Sequence, residues 1–337
     1  MRKFEIQNTI KILIIFLKSS TIVILLSNSC TKLDPVNVTK FSKPAIAYQV
    51  DFTSAMVKGK LMDIGENVLN YGHCWSENQN PTTADSKTTN SGNPQKQVEF
   101  TSELKGLNSG TTYYVKAYVT IQGKTIYSDE ISFKTNELKD VENNTYKVVT
   151  IGAQTWMAEN LKATKYQNGD TIGTTYPATL DIYSYTHPKF QWAPEGDDSR
   201  VTAYGRLYTW YAATDSRNIC PPGWHLPTDA EWATLITYLG GINLAGGKMK
   251  EAGTLHWDSP NTDANNSSGF SAVAAGGRND SNSFYDLGKQ AYFWSATPDE
   301  YSPDNYAWVR DLINISAAIS NQTWYVNKGY SVRCVKN

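Results

Sequence analysis

Apolar and polar residues alternate between positions 44 and 136, which is the pattern of strands with one buried face. The clearest run is 112–119, and shorter strands are predicted at 71–75, 98–100 and 126–135. Several short alternating strands within one segment predict a small β-sandwich over residues 44–136. The positions predicted to face its core are Val57, Gly59, Leu61, Tyr113, Val115, Ala117 and Val119.

The second half of the chain contains one well-marked amphipathic helix. Its apolar stripe, at i, i+3, i+4 and i+7, consists of Trp232, Leu235, Ile236 and Leu239. Thr228 and Glu231 have the spacing of a capping box, and Gly240 and Gly241 end the helix. Because the cap uses Glu231, we interpret this carboxylate as structural and not as a general acid.

Strands are also predicted at 148–151, 291–297 and 329–335, whereas 166–203 has no clear periodicity and predicts a long ordered loop. Leu207, Trp210 and Tyr211 have helical spacing and are predicted core residues. The pattern of apolar and polar residues changes after a charged, Asn-rich stretch at 137–144. We therefore predict a linker there, followed by an α+β domain over residues 145–337.

Residues 1–29 have the features of an export signal, with basic residues followed by two short apolar runs. Neither run reaches the roughly 18 to 20 residues of a spanning helix. The segment Leu26-Ser-Asn-Ser-Cys30 resembles a bacterial lipobox, so we predict lipidation at Cys30 and a polar tether over 30–43. The resemblance implies a lipoprotein of the cell outer membrane, periplasmic or surface-exposed. The alternative is ordinary cleavage, with Cys30 incidental.

Composition narrows the classes of partner. A net charge of −1 does not favour nucleic acid, and only 19% of the residues are charged. With 10 Trp and 21 Tyr, the chain has the composition of a secreted β-rich protein with aromatic binding faces.

Six ordered motifs between Tyr146 and Lys336 resemble the FISUMP family, the major paralogous domain first catalogued in Fibrobacter. They are Gly152–Leu161, Gly205–Ala213, Gly223–Trp232, Phe270–Arg278, Ala291–Thr297 and Gly329–Val335. The Gly223–Trp232 motif is also similar to a stretch of formylglycine-generating-enzyme-like domains. This resemblance implies a C-type-lectin-like fold, in which the first and last strands pair.

Residues 104–119 resemble a passage of fibronectin type III domains that carries the tyrosine corner, here Tyr113. This likeness implies a fold for 44–136 and no particular function.

The cysteines predict a structural bridge. Cys220 and Cys334 are the only cysteines after residue 145, so in an exported protein we expect them to pair. Cys74 is predicted to be a buried thiol. Formylglycine-generating enzymes use a local cysteine pair near the end of the fold, whereas only Cys334 is there in this chain. We therefore expect no oxidase chemistry and no enzyme.

We predict a non-catalytic binding protein that recognises a glycan or a cell-surface protein through exposed aromatic rings. The candidate rings are Trp257, Trp308, Trp324 and Tyr325, with Trp192 as a further one. No cofactor is expected, with calcium held by Asp258, Asn261 and Asp263 of an Asx-rich loop as the alternative. The alternative functions are an enzyme on a formylglycine-generating-enzyme-like scaffold and a ligand-free structural envelope protein.

Overall fold

A computed structural model describes residues 40–41, 46–63, 68–92 and 98–337. The predicted export signal, Cys30 and nearly all of the tether lie outside these residues, so their predictions stay predictions. Within the described residues, no helix is both long and apolar enough to span a bilayer.

The first part of the chain forms two antiparallel sheets. The strands are β1 Lys40–Phe41, β2 Ile46–Tyr48, β3 Ser54–Asp63, β4 Val68–Ser76, β5 Ser86–Lys87, β6 Asn90–Ser91, β7 Val98–Lys105, β8 Thr112–Ile121, β9 Lys124–Tyr127 and β10 Ile131–Lys134. In one sheet, β3 pairs with β1, β2 and β7; in the other, β4 and β8 are central. Side chains from both sheets share the same apolar clusters, so the sheets pack face to face.

All seven predicted core positions of this part are buried, and Cys74 is a buried free thiol, as predicted. The strand predicted at 126–135 is instead two strands, β9 and β10. Both pair with β8, and between them the Ser128 hydroxyl accepts the hydrogen bond of the Ala117 amide. A side chain thus replaces a backbone partner at the break, which alternation alone does not reveal.

His73 lies fully buried between the two sheets and makes the sandwich sensitive to acid. Its Nδ1 is 2.7 Å from the Ser102 hydroxyl, whereas Nε2 has no hydrogen-bond partner among the described residues. Burial lowers the pKa of His73 to about 4.

Between pH 6.5 and pH 4, the unfolded chain therefore binds a proton at His73 that the native state does not bind. Stability should fall by about 2 kcal/mol from pH 7 to pH 4.5, measured by denaturant titration. His73→Asn keeps a neutral donor toward Ser102 and removes the titrating group. The stability of this variant should therefore fall by about 2 kcal/mol less than that of the wild type over the same pH range. Equal losses in both proteins would contradict the prediction.

The hairpin of β11 (Leu138–Lys139) and β12 (Thr145–Tyr146) leads into the second part, which has two further sheets. Its strands are β13 Val148–Ile151, β14 Gln154–Met157, β15 Gln191–Trp192, β16 Leu207–Tyr208, β17 Trp224–His225, β18 Ala275–Arg278, β19 Phe284–Leu287, β20 Gln290–Pro298, β21 Tyr306–Ile313, β22 Ile319–Tyr325, β23 Tyr330–Ser331 and β24 Val335–Lys336. Its helices are α1 Val201–Tyr204, α2 Trp210–Ala213, α3 Asp229–Tyr238 and α4 Ile242–Met249, with 3-10 turns at Pro194–Gly196 and Asp198–Arg200.

The four-stranded sheet has the order β13-β14-β24-β17, and the larger one has the order β15-β16-β23-β20-β18-β19 with β21 and β22 beyond β20. The described part of the chain is therefore mostly β-sheet with few helices. Leu207 is buried in β16, whereas Trp210 and Tyr211 are half-buried at the start of α2 and pack against the same core, so the helical spacing of the three residues does not reflect one helix.

Helix α3 is the predicted amphipathic helix. Thr228 and Glu231 form the capping box, and all four residues of the apolar stripe are buried. Trp232 is the centre of the core beneath it, with ring centroids 4.8 Å from Trp156 and 5.8 Å from Phe293. Local sequence thus defines this helix completely, because both its cap and its stripe lie within a dozen residues.

The opening family motif and the last strand of this part meet, as the family resemblance implied. Trp156 pairs with Val335, and the Met157 amide donates to the Cys334 carbonyl at 3.0 Å. Cys220 and Cys334 form the predicted disulfide. The strand predicted at 329–335 is divided into β23 and β24, because here the chain passes from the larger sheet to the smaller one.

The sandwich contacts the second part directly, and both belong to one compact unit, Val38–Asn337. The ring of Phe52 lies 5.7 Å from Trp224, edge to face, and the Lys336 ammonium is 2.7 Å from the Asp51 carboxylate. The aromatic contact and the ion pair thus hold the loop before β3 against β17 and β24.

Candidate functional site

Aromatic side chains collect at one end of the hairpin formed by β21 and β22. Tyr306 lies directly opposite Tyr325, and Trp308 lies opposite Thr323 on the same face. Trp324 points to the other face, where it packs against the core. Of the predicted rings, Trp308 and Tyr325 therefore share one face of the hairpin and Trp324 lies on the other, and all three are half-buried.

Tyr183 from the long loop 166–203 completes this group. Its ring centroid is 6.0 Å from that of Tyr325, and the ring centroid of Tyr306 is 5.9 Å from that of Tyr325. Tyr183 is 64% exposed and Tyr306 is 42% exposed. We call Tyr183, Tyr306 and Tyr325 the tyrosine face.

Buried polar side chains fix the loop that carries Tyr183. The guanidinium of Arg278, which is fully buried, donates to the carbonyls of Ala178 and Leu180 and stacks 4.1 Å from the Trp192 ring. The Asn327 amide donates to the Ile182 carbonyl at 3.3 Å. Although burial lowers the pKa of Arg278 to about 10, this cation stays charged at neutral pH and holds the loop.

A cation and an amide lie next to Trp324, on the other face of the hairpin. The Lys328 ammonium lies 5.3 Å from the Trp324 ring and 5.4 Å from Tyr285, and it is 3.5 Å from Asn279 Oδ1. Burial lowers the pKa of Lys328, an effect that the Asp280 carboxylate opposes. The tyrosine face itself therefore offers flat rings and their phenol hydroxyls, whereas Lys328 and Asn279 lie on the Trp324 side.

The Tyr325 phenol is a hydrogen-bond donor at neutral pH. Burial, and then the neighbouring Tyr183, raise the pKa of Tyr325 above its ordinary value. The three tyrosine rings can stack against an apolar face of a ligand, while their hydroxyls donate and accept hydrogen bonds around it.

Two of the predicted rings are in the core instead. Trp257 is only 2% exposed, and its indole N–H donates to the Ala272 carbonyl at 2.8 Å. Trp192 is buried under Arg278. Their prediction as exposed rings was wrong, because a polar neighbourhood in sequence does not exclude burial in the fold.

The sequence interpretation missed Tyr183 and Tyr306. Tyr306 could have been found from its place two residues before Trp308 on a strand, which puts both rings on one face. Tyr183 carried no signal, because its loop has no periodicity and its distance from Tyr325 depends on the fold.

The three weak calcium candidates face different neighbours. The Asn261 amide donates to the Glu251 and Gly253 carbonyls, and Asp258 is exposed beside Gly288. Asp263 is exposed next to α4, where its backbone contacts Gly247. Among the described residues, no group of three His, Cys, Asp or Glu side chains is placed to hold a metal ion.

The histidines outside the sandwich are also separate from one another. His225 Nε2 is 2.8 Å from Glu231 of the capping box, and His256 Nδ1 is 2.8 Å from Glu251. The His187 ring packs edge to face on Tyr211 at 4.4 Å. Each therefore has a local hydrogen-bonding or packing partner.

The fold and the site together define a β-rich multidomain protein with an exposed tyrosine face. The model of the Fibrobacter succinogenes major domain matches residues 149–336, and the chain belongs to this family. No match to a curated protein sequence was found.

Among solved structures, the chain is similar to the sensor domain of the anti-sigma factor RsgI4 from Pseudobacteroides cellulosolvens. A short form is 21% identical, with a TM-score of 0.25, and the match covers 30% of this chain and 98% of that one. A longer form, also 21% identical with a TM-score of 0.24, matches over 29% of this chain and 90% of that one. A superposition of this extent defines neither the fold nor the function of this chain.

Proposed function

We propose that this chain is a lipid-anchored, non-catalytic envelope protein that binds a glycan through the tyrosine face. The observation that carries the proposal is the exposed group of Tyr183, Tyr306 and Tyr325 on a backbone fixed by buried side chains. Stiff rings already in position lose little conformational entropy when a ligand binds.

The chemistry of the rings favours a sugar as the ligand. A pyranose has an apolar face for stacking and hydroxyls at its edge, which the phenol hydroxyls could bind. The tyrosine face consists of uncharged rings, so a neutral glycan fits better than a strongly charged one.

In this proposal, a fibronectin-type sandwich places a lectin-like domain at the outer membrane. Tyr113 supports the sandwich assignment, because its hydroxyl accepts a hydrogen bond from the Asn108 amide at 2.9 Å, as a tyrosine corner would. Anchoring rests on Cys30, so Cys30→Ser should release the full chain from the detergent phase in a partitioning assay. Equal partitioning of both proteins would contradict the lipid anchor.

The binding proposal predicts that a soluble fragment from Thr31 onward binds to glycans immobilised on an array. Tyr183→Ala and Tyr325→Ala should each weaken binding about tenfold, which corresponds to roughly 1.4 kcal/mol per lost stacking contact. Tyr238→Ala is the matched control, because Tyr238 is 66% exposed on α3, outside the tyrosine face. Its binding should equal that of the wild type.

Binding that survives the loss of both Tyr183 and Tyr325 would move the site elsewhere. A blank array would contradict glycan recognition. In that case, a protein partner, a structural role and an enzyme on this scaffold would be tested next.

A further inference from the structure

The fully buried Lys250, directly after α4, lies in a cage of backbone carbonyls. Its ammonium donates to the carbonyls of Thr262, Ile313 and Ser316 at 2.9, 3.1 and 2.8 Å. An ammonium has three donors, so all of them are satisfied without a carboxylate in direct contact. The Trp257 ring lies 5.4 Å from the same ammonium.

The cage joins two segments that are distant in sequence. Thr262 lies in the Asx-rich loop 258–269, whereas Ile313 and Ser316 lie at the turn between β21 and β22. This turn is at the opposite end of the hairpin from Tyr306 and Tyr325. The Thr262 amide also donates to the Asn314 carbonyl at 2.7 Å, so Lys250 closes a contact between loop and hairpin.

Oxygen atoms converging from separate loops are the ligands that a hard cation such as calcium takes. Here a cation of the chain already uses three such oxygens, and its charge would repel a divalent ion. We propose that the Lys250 ammonium is the resident cation of this loop, and that the domain therefore folds without calcium. The weak calcium candidates Asp258, Asn261 and Asp263 do not fit a metal beside it.

Burial lowers the pKa of Lys250 to about 8, and the nearby Asp263 carboxylate opposes this shift. At neutral pH the ammonium is therefore still the main form, as the three carbonyl contacts require. The proposal does not depend on glycan binding, because its test measures stability alone.

The test is thermal unfolding of the chain and of two variants. Lys250→Met keeps the aliphatic stem but removes a donor from all three carbonyls, and its Tm should fall by about 5 °C or more. The Tm of Lys250→Ala should fall by at least as much. Because n-propylammonium supplies the missing carbons and nitrogen, it should restore about half of that loss, whereas n-propanol should not.

Lys248→Met is the control, because the Lys248 ammonium donates to a single carbonyl, that of Leu239. Its Tm should change less than that of Lys250→Met. Calcium or a chelator should move the wild-type Tm by less than about 1 °C. A wild-type Tm that rises with calcium would overturn the proposal, as would equal shifts for the Lys250 and Lys248 variants. If Lys250→Ala does not fold, the Lys250→Met comparison decides.

Discussion

Replacing Arg333 by methionine is expected to lower the free energy of unfolding by about 4 kcal/mol. Arg333 is fully buried, and its guanidinium donates to Asn160 Oδ1 at 2.7 Å and to the Ser271 carbonyl at 2.8 Å. It also donates to the carbonyls of Phe270 and Met157. Methionine would leave these four acceptors buried without a donor, and each one costs about 1 to 3 kcal/mol when it cannot relax.

The loss of aromatic packing should add to the loss of hydrogen bonds in Arg333→Met. The guanidinium lies 4.5 Å from the Phe270 ring and 5.6 Å from the Phe293 ring, so the cation also stacks on aromatic faces. Burial lowers the pKa of Arg333 to about 9, which leaves it charged at neutral pH. Arg333 thereby ties the closing segment to two earlier family motifs, those that end at Leu161 and begin at Phe270.

Denaturant titration followed by tryptophan fluorescence would measure the change. The control is Arg200→Met, because Arg200 is 39% exposed and its pair with Asp197 spans 3.4 Å at the surface. Such a pair contributes less than about 1 kcal/mol. If the Arg333 and Arg200 variants unfold at the same denaturant concentration, the buried guanidinium does not stabilise the fold.

Removing the Cys220–Cys334 disulfide should have an effect of similar size. The bridge closes a loop with a sequence separation of 114, and both cysteines are buried. In the chain-entropy model, a loop of this length stabilises by about 4 to 5 kcal/mol through the unfolded state. The double variant Cys220→Ala, Cys334→Ala should therefore lose about 4 kcal/mol in the same titration.

Cys74→Ala provides the control, because Cys74 is an unpaired buried thiol in the sandwich. Burial raises the pKa of this thiol to about 11, so it should also resist alkylation in the native state. Its replacement leaves a small cavity that costs about 1 kcal/mol. A loss in the double variant no larger than this would mean that the bridge forms without stabilising the domain.

Several features of this protein follow from local sequence. The helix Asp229–Tyr238 was predictable from its cap and its apolar stripe, because both act within a few residues. The alternating core positions of the sandwich are buried because a strand fixes which face each side chain takes. The pairing of Cys220 with Cys334 was predictable because no other cysteine follows residue 145.

Tertiary structure alone decided which aromatic rings are exposed. Trp257 and Tyr325 both have polar neighbours in sequence, yet Trp257 is in the core and Tyr325 lies at the surface beside Tyr183. Likewise, nothing in the sequence indicated that Lys250 would take carbonyls from two distant loops. Exposure and the convergence of loops depend on contacts between residues far apart in the chain, whereas helices, strands and their buried faces depend on near neighbours.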